Sequence, residues 1–254
     1  MEVYYLIVFF ILGTVLASFY NVVGYRLPKG ESIIYPRSHC PNCKHDLSFL
    51  EMIPILSFVI QKGRCKNCQT KIAKFYPIIE LSGGILFSLA YFSFGMTLKF
   101  LLAITFISMV LIIFVSDYHY LIIPDSVLII TGILLLIEIY LMNGLPYLLN
   151  SIINGVISFM IMFLIKKLGD FLFKKESMGG GDIKLMFIFG LIFGYKMVFV
   201  IIFLASVIGL PISLVVLYKN NNHVLPFGPY LCLAALIILL FQINDTTIYN
   251  LLIR

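Results

Sequence analysis

The feature that most constrains this chain is the recurrence, along its 254 positions, of apolar runs of 18 or more residues. Wound as a helix, a run of that length crosses roughly 30 Å of hydrocarbon. Lipid offers the backbone no hydrogen-bond partners, and continuous apolar runs meet that demand as helices, whereas alternating ones do so as barrels. The runs are too numerous to be one cleaved signal peptide. Composition agrees, with 61% hydrophobic and 12% charged residues against about a quarter charged in a soluble domain. A soluble globular protein is excluded. The expected fold is an all-α polytopic membrane protein.

Eight apolar segments are expected, near 3–23, 77–95, 98–116, 121–142, 147–165, 183–195, 197–217 and 225–242. The sixth holds about 13 residues, ~20 Å at 1.5 Å per residue, which falls short of a crossing. It is either a half-span or a helix whose N-terminal end is sunk below the membrane surface. Residues 24–76 carry 12 of the 30 charged residues and four of the five cysteines. The expected organisation is therefore a first transmembrane helix over 1–23, a hydrophilic domain over 24–76, and a membrane-embedded body over 77–254. Fifteen Lys and Arg fall on the side of that domain, and three (Lys99, Lys196, Arg254) on the other. Positive charge collects in cytoplasmic loops, so the 24–76 domain is expected in the cytoplasm. The net charge of +6 needs no nucleic acid to explain it.

Cys40-Pro-Asn-Cys43 and Cys65-Lys-Asn-Cys68 are two Cys-x-x-Cys knuckles with 21 residues between them. Each pair can bite one tetrahedral Zn²⁺, and two pairs close a four-thiolate site with no open position. In a reducing compartment such thiols favour metal over disulfides. A segment this small and polar builds little core, so the metal would supply folding energy. The expected zinc is structural. Cys232 lies in an apolar span and reads as a small core residue; His39 and His45 flank the first knuckle without being needed as ligands.

Acidic residues in or beside spans are functional candidates. Asp117 ends the third apolar segment, Asp125 follows Pro124 at the start of the fourth, and Asp182 follows Gly179-Gly-Gly181 at the start of the sixth. Charge counting puts all three at the cytoplasmic face, with Asp117 opening a short turn to Tyr120. Two neighbouring carboxylates can share a proton, one activating water and the other polarising a carbonyl. That chemistry hydrolyses amides without a metal. The glycines permit backbone conformations and a close approach that side chains would block. Asp125 also fits an ordinary helix start. Asp117 sits at a helix end, where the dipole disfavours an anion, and its placement asks for an explanation. Glu80 is ambiguous; Glu138 lies 13 residues beyond Asp125, where it would snorkel or be hydrogen-bonded.

In these residues the chain resembles the type IV prepilin peptidases. Gly13-Thr-Val-Leu-Ala-Ser18-Phe19-Tyr-Asn21-Val22 with Arg26-Leu27-Pro28 resembles that family's first span and exit, and Pro36 through Cys68 with Tyr76-Pro77-Ile-Ile-Glu80 its cytoplasmic zinc module. Asp117 with Ile123-Pro124-Asp125 resembles the first aspartate block. Glu176-Ser-Met-Gly179-Gly-Gly181-Asp182-Ile-Lys184-Leu185 resembles the Gly-x-Gly-Asp block of membrane aspartic proteases, and Pro226-Phe227-Gly228-Pro229 the last-span motif. The resemblance implies Asp117 and Asp182 as the catalytic pair, with Gly179, Gly180, Gly181, Lys184 and Asp125 in support. It implies cleavage of the leader of type IV prepilins and pseudopilins after a glycine, at the cytoplasmic face of a bacterial plasma membrane. In bifunctional members S-adenosylmethionine then methylates the new N-terminal residue, an activity associated with the zinc-bearing region. No Gly-rich Rossmann fingerprint marks a methyl-donor pocket. Met52 stands where many members have Asn before Ile-Pro, a departure touching the methyltransferase side. A transporter would show repeated halves, which the sequence lacks; a non-catalytic scaffold docking a partner through its zinc module would tolerate loss of the aspartates.

Overall fold

In a computed structural model, residues 2–174, 176, 178–219 and 226–244 are described. Lys175 and Arg254, which entered the charge count, lie outside them, as does the side chain of Lys219. The described residues are helical, without a sheet. The chain forms two compact units, divided between Met96 and Thr97.

The first unit runs from α1 (Glu2–Arg26) through a short helix α2 (Leu56–Ile60) to α3 (Phe75–Phe94). Helix α1 gives way to a 3₁₀ turn, Leu27–Lys29, closed by Gly30 at φ 69°. Small residues set how closely α1 and α3 approach. A Cβ on Gly84 would lie 2.7 Å from Thr14 Cγ2, and one on Gly13 2.9 Å from Phe87 Cβ. Packing through small residues is what holds helices together in lipid, where burial alone drives nothing. Phe9 and Tyr91 stack at 5.1 Å between centroids, Tyr25 and Tyr76 at 5.6 Å. The ambiguity over Glu80 is resolved: it is buried in α3 and accepts a hydrogen bond from the backbone N–H of Ile55 at 2.8 Å. Ile55 sits at φ 60°, a costly place for a β-branched residue, and that bond helps hold it there.

The second unit holds α4 (Leu98–Tyr120), α5 (Asp125–Phe173), α6 (Gly180–Phe193), α7 (Tyr195–Lys219) and α8 (Gly228–Leu240). Helix α4 is its centre, with Phe106, Ile107, Ile113 and Val115 fully buried and α5 and α8 packed on it. Glycines again bring α5 and α6 together: a Cβ on Gly190 would meet the Asn154 carbonyl oxygen at 2.6 Å.

Among the described residues, five helices are long and apolar enough to cross a membrane: α1, α3, α4, α5 and α7. Where two spans were expected at 121–142 and 147–165, α5 is one run of 49 residues, broken at Gly144 (φ 76°, ψ −178°) just before Pro146. The expected sixth and eighth spans are helices of 14 and 13 residues. The stretch Asp117–Tyr120, expected as a turn, is the last turn of α4; the turn itself is Leu121–Pro124, opened by Leu121 at φ 56°. Glu138 does not snorkel. It is buried and accepts a hydrogen bond from Thr105 Oγ1 at 2.7 Å.

Candidate active site and metal module

In the second unit, three helix ends converge on two carboxylates. Asp117 closes α4, and its carbonyl accepts the Leu121 N–H at 3.0 Å. The Ser116 hydroxyl donates to the Ile122 carbonyl, fixing the turn that follows. Asp182 occupies the first turn of α6, where the helix dipole favours an anion. Asp117 and Asp182 are 6% and 8% exposed and close enough to interact electrostatically.

The awkward placement of Asp117 has a physical answer. The first residue of α8, Gly228, donates its backbone N–H to the Asp117 carboxylate. A helix N-terminus thus offsets the unfavourable end of α4. A Cβ on Gly228 would sit 2.5 Å from Asp117 Oδ2 and 3.3 Å from Ile123 Cδ1. Ile123 also explains Gly181, whose Cβ would meet Ile123 Cβ at 2.8 Å. The turn after Asp117 is therefore wedged between the starts of α6 and α8. Of the three glycines before Asp182, only Gly181 is sterically required. A Cβ on Gly180 meets nothing within 4 Å, one on Gly179 comes no nearer than 3.5 Å to Asp182 Oδ2, and Gly179 has φ −66°. The unusual backbone conformations expected of this run are not used.

Asp125 opens α5 with no side-chain cap and turns to Lys184, whose Nζ donates to Oδ1 at 2.6 Å and Oδ2 at 2.8 Å. Both side chains are half-exposed, at 60% and 50%. The pair ties the segment after Asp117 to the helix bearing Asp182. Cys232 is fully buried in α8, as a core residue should be.

In the first unit the two knuckles are near-copies. Each is bracketed by an isolated β-bridge, His39 to Asp46 and Arg64 to Lys71. Each turns through a left-handed residue four after its first cysteine, Lys44 and Gln69, both at φ 58°. The four sulfurs lie within 4.8 Å of one another. Cys40 and Cys68 are 3.8 Å apart, Cys43 and Cys65 3.9 Å. A tetrahedron with metal–sulfur bonds of about 2.3 Å has sulfur–sulfur edges of about 3.8 Å. The cluster could hold a metal ion.

Asn42 and Asn67 occupy the same position in their knuckles, and each donates across to the other knuckle, Asn42 to Cys68 Sγ at 3.6 Å and Asn67 to Cys43 Sγ at 3.7 Å. Hydrogen bonds from the Thr70 hydroxyl and backbone, then Asn42, bring the Cys68 thiol down to about 5, and the backbone N–H groups of Cys43 and Asn42 lower Cys40. Those donors favour the thiolate that metal binding needs. His45 pairs with Glu51 at 3.3 Å instead of joining the sulfurs. Neither asparagine stood out in the sequence, although both knuckles spell Cys-x-Asn-Cys; Gly228 was noticed only as part of a motif.

A multi-pass helical membrane protein with a buried acidic pair and a four-cysteine module is the class these features define. The Bacterial Peptidase A24 N-terminal domain matches residues 11–94, and the Type IV leader peptidase family matches residues 104–214. The chain is 35% identical over 244 residues to the prepilin leader peptidase/N-methyltransferase of Bacillus subtilis (strain 168), covering 95% of each chain. It is 31% identical to the protein of that name from Neisseria gonorrhoeae, covering 93% of this chain and 90% of the relative. With that from Myxococcus xanthus (strain DK1622) it is 29% identical over 84% of this chain and 63% of the relative. No solved structure matches. The chain belongs to the type IV leader peptidase family and is an enzyme of that class.

Proposed function

We propose that the protein is a membrane aspartic endopeptidase that removes the leader of type IV prepilins and pseudopilins after a glycine, with Asp117 and Asp182 as its catalytic pair. The observation that carries this reading is the convergence of the two buried carboxylates under the N-terminus of α8. Like charges that close cannot both ionise in a dry site, so the pair would hold one proton between them. The ionised member takes a proton from water, which attacks the scissile carbonyl carbon. The protonated member donates to the carbonyl oxygen, and the nitrogen leaves with a proton as the tetrahedral intermediate collapses. Gly228 N–H holds Asp117 in place. Gly181 lets the Ile123 turn pack against α6, and the Asp125–Lys184 pair ties the two segments. Gly179 and Gly180 leave an unobstructed backbone edge along which an extended substrate can lie.

The charge balance supports a cytoplasmic location for residues 24–76 and for the acidic pair, in a bacterial plasma membrane. We assign the four-cysteine module to that domain and the peptidase chemistry to residues 77–254. Cys40, Cys43, Cys65 and Cys68 would hold zinc as a closed structural site, whose role is to fold the module. The relatives' names and the intact module support a second activity, N-methylation of the new N-terminal residue with S-adenosylmethionine as donor. The described residues contain no strand and hence no Rossmann-type cradle for that donor.

Mass spectrometry of a prepilin incubated with the purified enzyme tests both activities. The expected product has lost its leader, and has gained one methyl group only when S-adenosylmethionine is present. Leader loss with no methyl removes the second activity; an unchanged mass with folded enzyme removes the first.

A further inference from the structure

At the opposite end of α6 from Asp182 lies a cavity of about 220 Å³ between α5, α6 and α7. That is smaller than the ~300–1,000 Å³ of sites for drug-sized ligands and on the scale of a polar headgroup. Its walls include Tyr147, Asn150, Ser151, Asn154, Gly194 and Lys196, and no lining residue carries a carboxylate. Ser151 is 4% exposed and makes no hydrogen bond among the described residues, so its hydroxyl lines the cavity unpartnered. Its oxygen is open to the cavity and free to pair with a group that enters it. Lys196 supplies a positive charge at the rim, and it stands in the first turn of α7, where the helix dipole adds more.

Geometry says what belongs there. Helix α6 has 14 residues, about 21 Å of rise, against ~30 Å of hydrocarbon. A helix that starts at one face therefore ends short of the other at Gly194, and the recess left there opens toward the headgroup layer. On α5 and α7 beside the recess, Leu149, Ile153, Phe199 and Phe203 are more than half exposed, a surface suited to acyl chains. We propose that this recess is a phosphate-binding site for the headgroup of a membrane phospholipid. Lys196 and the start of α7 take the phosphate oxygens, while Ser151, Asn150 and Asn154 complete the polar wall. The acyl chains lie along the exposed apolar faces of α5 and α7.

The test uses full-length protein, delipidated in neutral detergent and titrated with dioleoyl phosphatidylglycerol, with binding read by native mass spectrometry. Lys196→Gln and Ser151→Val are compared with wild type, and thermal unfolding confirms that both are folded. The expected result is a bound lipid on wild type whose affinity falls about tenfold or more in Lys196→Gln, the weight of one charge-assisted contact. A smaller fall is expected in Ser151→Val, and inorganic phosphate at equal concentration should displace nothing. Equal lipid binding by all three proteins would overturn the proposal. Binding of inorganic phosphate alone, lost in Lys196→Gln, would assign the recess to a free anion and overturn its lipid source.

Discussion

Replacing Gly228 by alanine exchanges one hydrogen for a methyl group, at the point where α8 meets Asp117. The new Cβ would stand 2.5 Å from Asp117 Oδ2, against an ordinary contact of 3.4 Å or more, a shortfall of 0.9 Å. Neither side can yield cheaply. Asp117 is buried at the end of α4, and the Gly228 backbone is the first turn of α8. The carboxylate must therefore swing away from the N–H that now holds it, losing a charge-assisted bond of about 1.5–3 kcal/mol. A displacement near 1 Å in a catalytic group can alone cost about 10²-fold in rate. We expect kcat for prepilin cleavage to fall roughly 10²-fold in Gly228→Ala, with KM little changed because Gly179 and Gly180, the edge proposed for the substrate, are untouched. The assay is a time course of leader release by mass spectrometry, run at matched folded fraction. Wild-type kcat in a folded variant would refute the argument, because the added carbon would then have found room that the structure denies it.

Other expectations follow from the same geometry. Asp125→Lys and Lys184→Asp should each lower cleavage, while unfolding stability shifts by under about 1 kcal/mol because the pair is half-exposed; the double swap should restore the rate, and a swap no better than its parents would count against a positioning role. Asn42→Ala or Asn67→Ala should weaken metal retention against a chelator by about 10–100-fold, the usual weight of donors behind a metal ligand; retention unchanged in the double variant would contradict their cross-donation to sulfur. Glu51 is held at about 2 by hydrogen bonds from the Ser48 hydroxyl and backbone, then His45, against about 4.3 for a free glutamate. Its contribution is thus full above the free value and fades as pH falls toward 2. Glu51→Gln should flatten that stretch of the acid-unfolding curve, and an unchanged slope would rule the bonds out as its source.

Much of this was legible in the sequence, and the failures have physical reasons. Knuckle spacing is local covalent information, so Cys40, Cys43, Cys65 and Cys68 could be grouped before any fold was known. The break between the fourth and fifth apolar segments was legible for a similar reason: Gly144 and Pro146 together disfavour a continuous helix. What the pattern could not say was that the break would be confined to Gly144, with helix directly on either side. Asp117 read as a helix end facing the wrong dipole. The group that compensates it belongs to Gly228, 111 residues later, and only the packing of α8 on α4 brings them together. The three glycines before Asp182 look alike in sequence, yet Ile123 singles out Gly181, a distinction that depends on a neighbour from another helix end.

The central claim is that Asp117 and Asp182 act as one unit on water. The most direct measurement is single-turnover cleavage of a prepilin by Asp117→Asn, Asp182→Asn and the double variant, each shown by thermal unfolding and zinc content to be folded. Each single change should abolish leader release to the background of the double, since residues acting as a unit are lost together, while zinc remains at one per chain. Cleavage surviving at a substantial rate in either folded single variant would contradict the account.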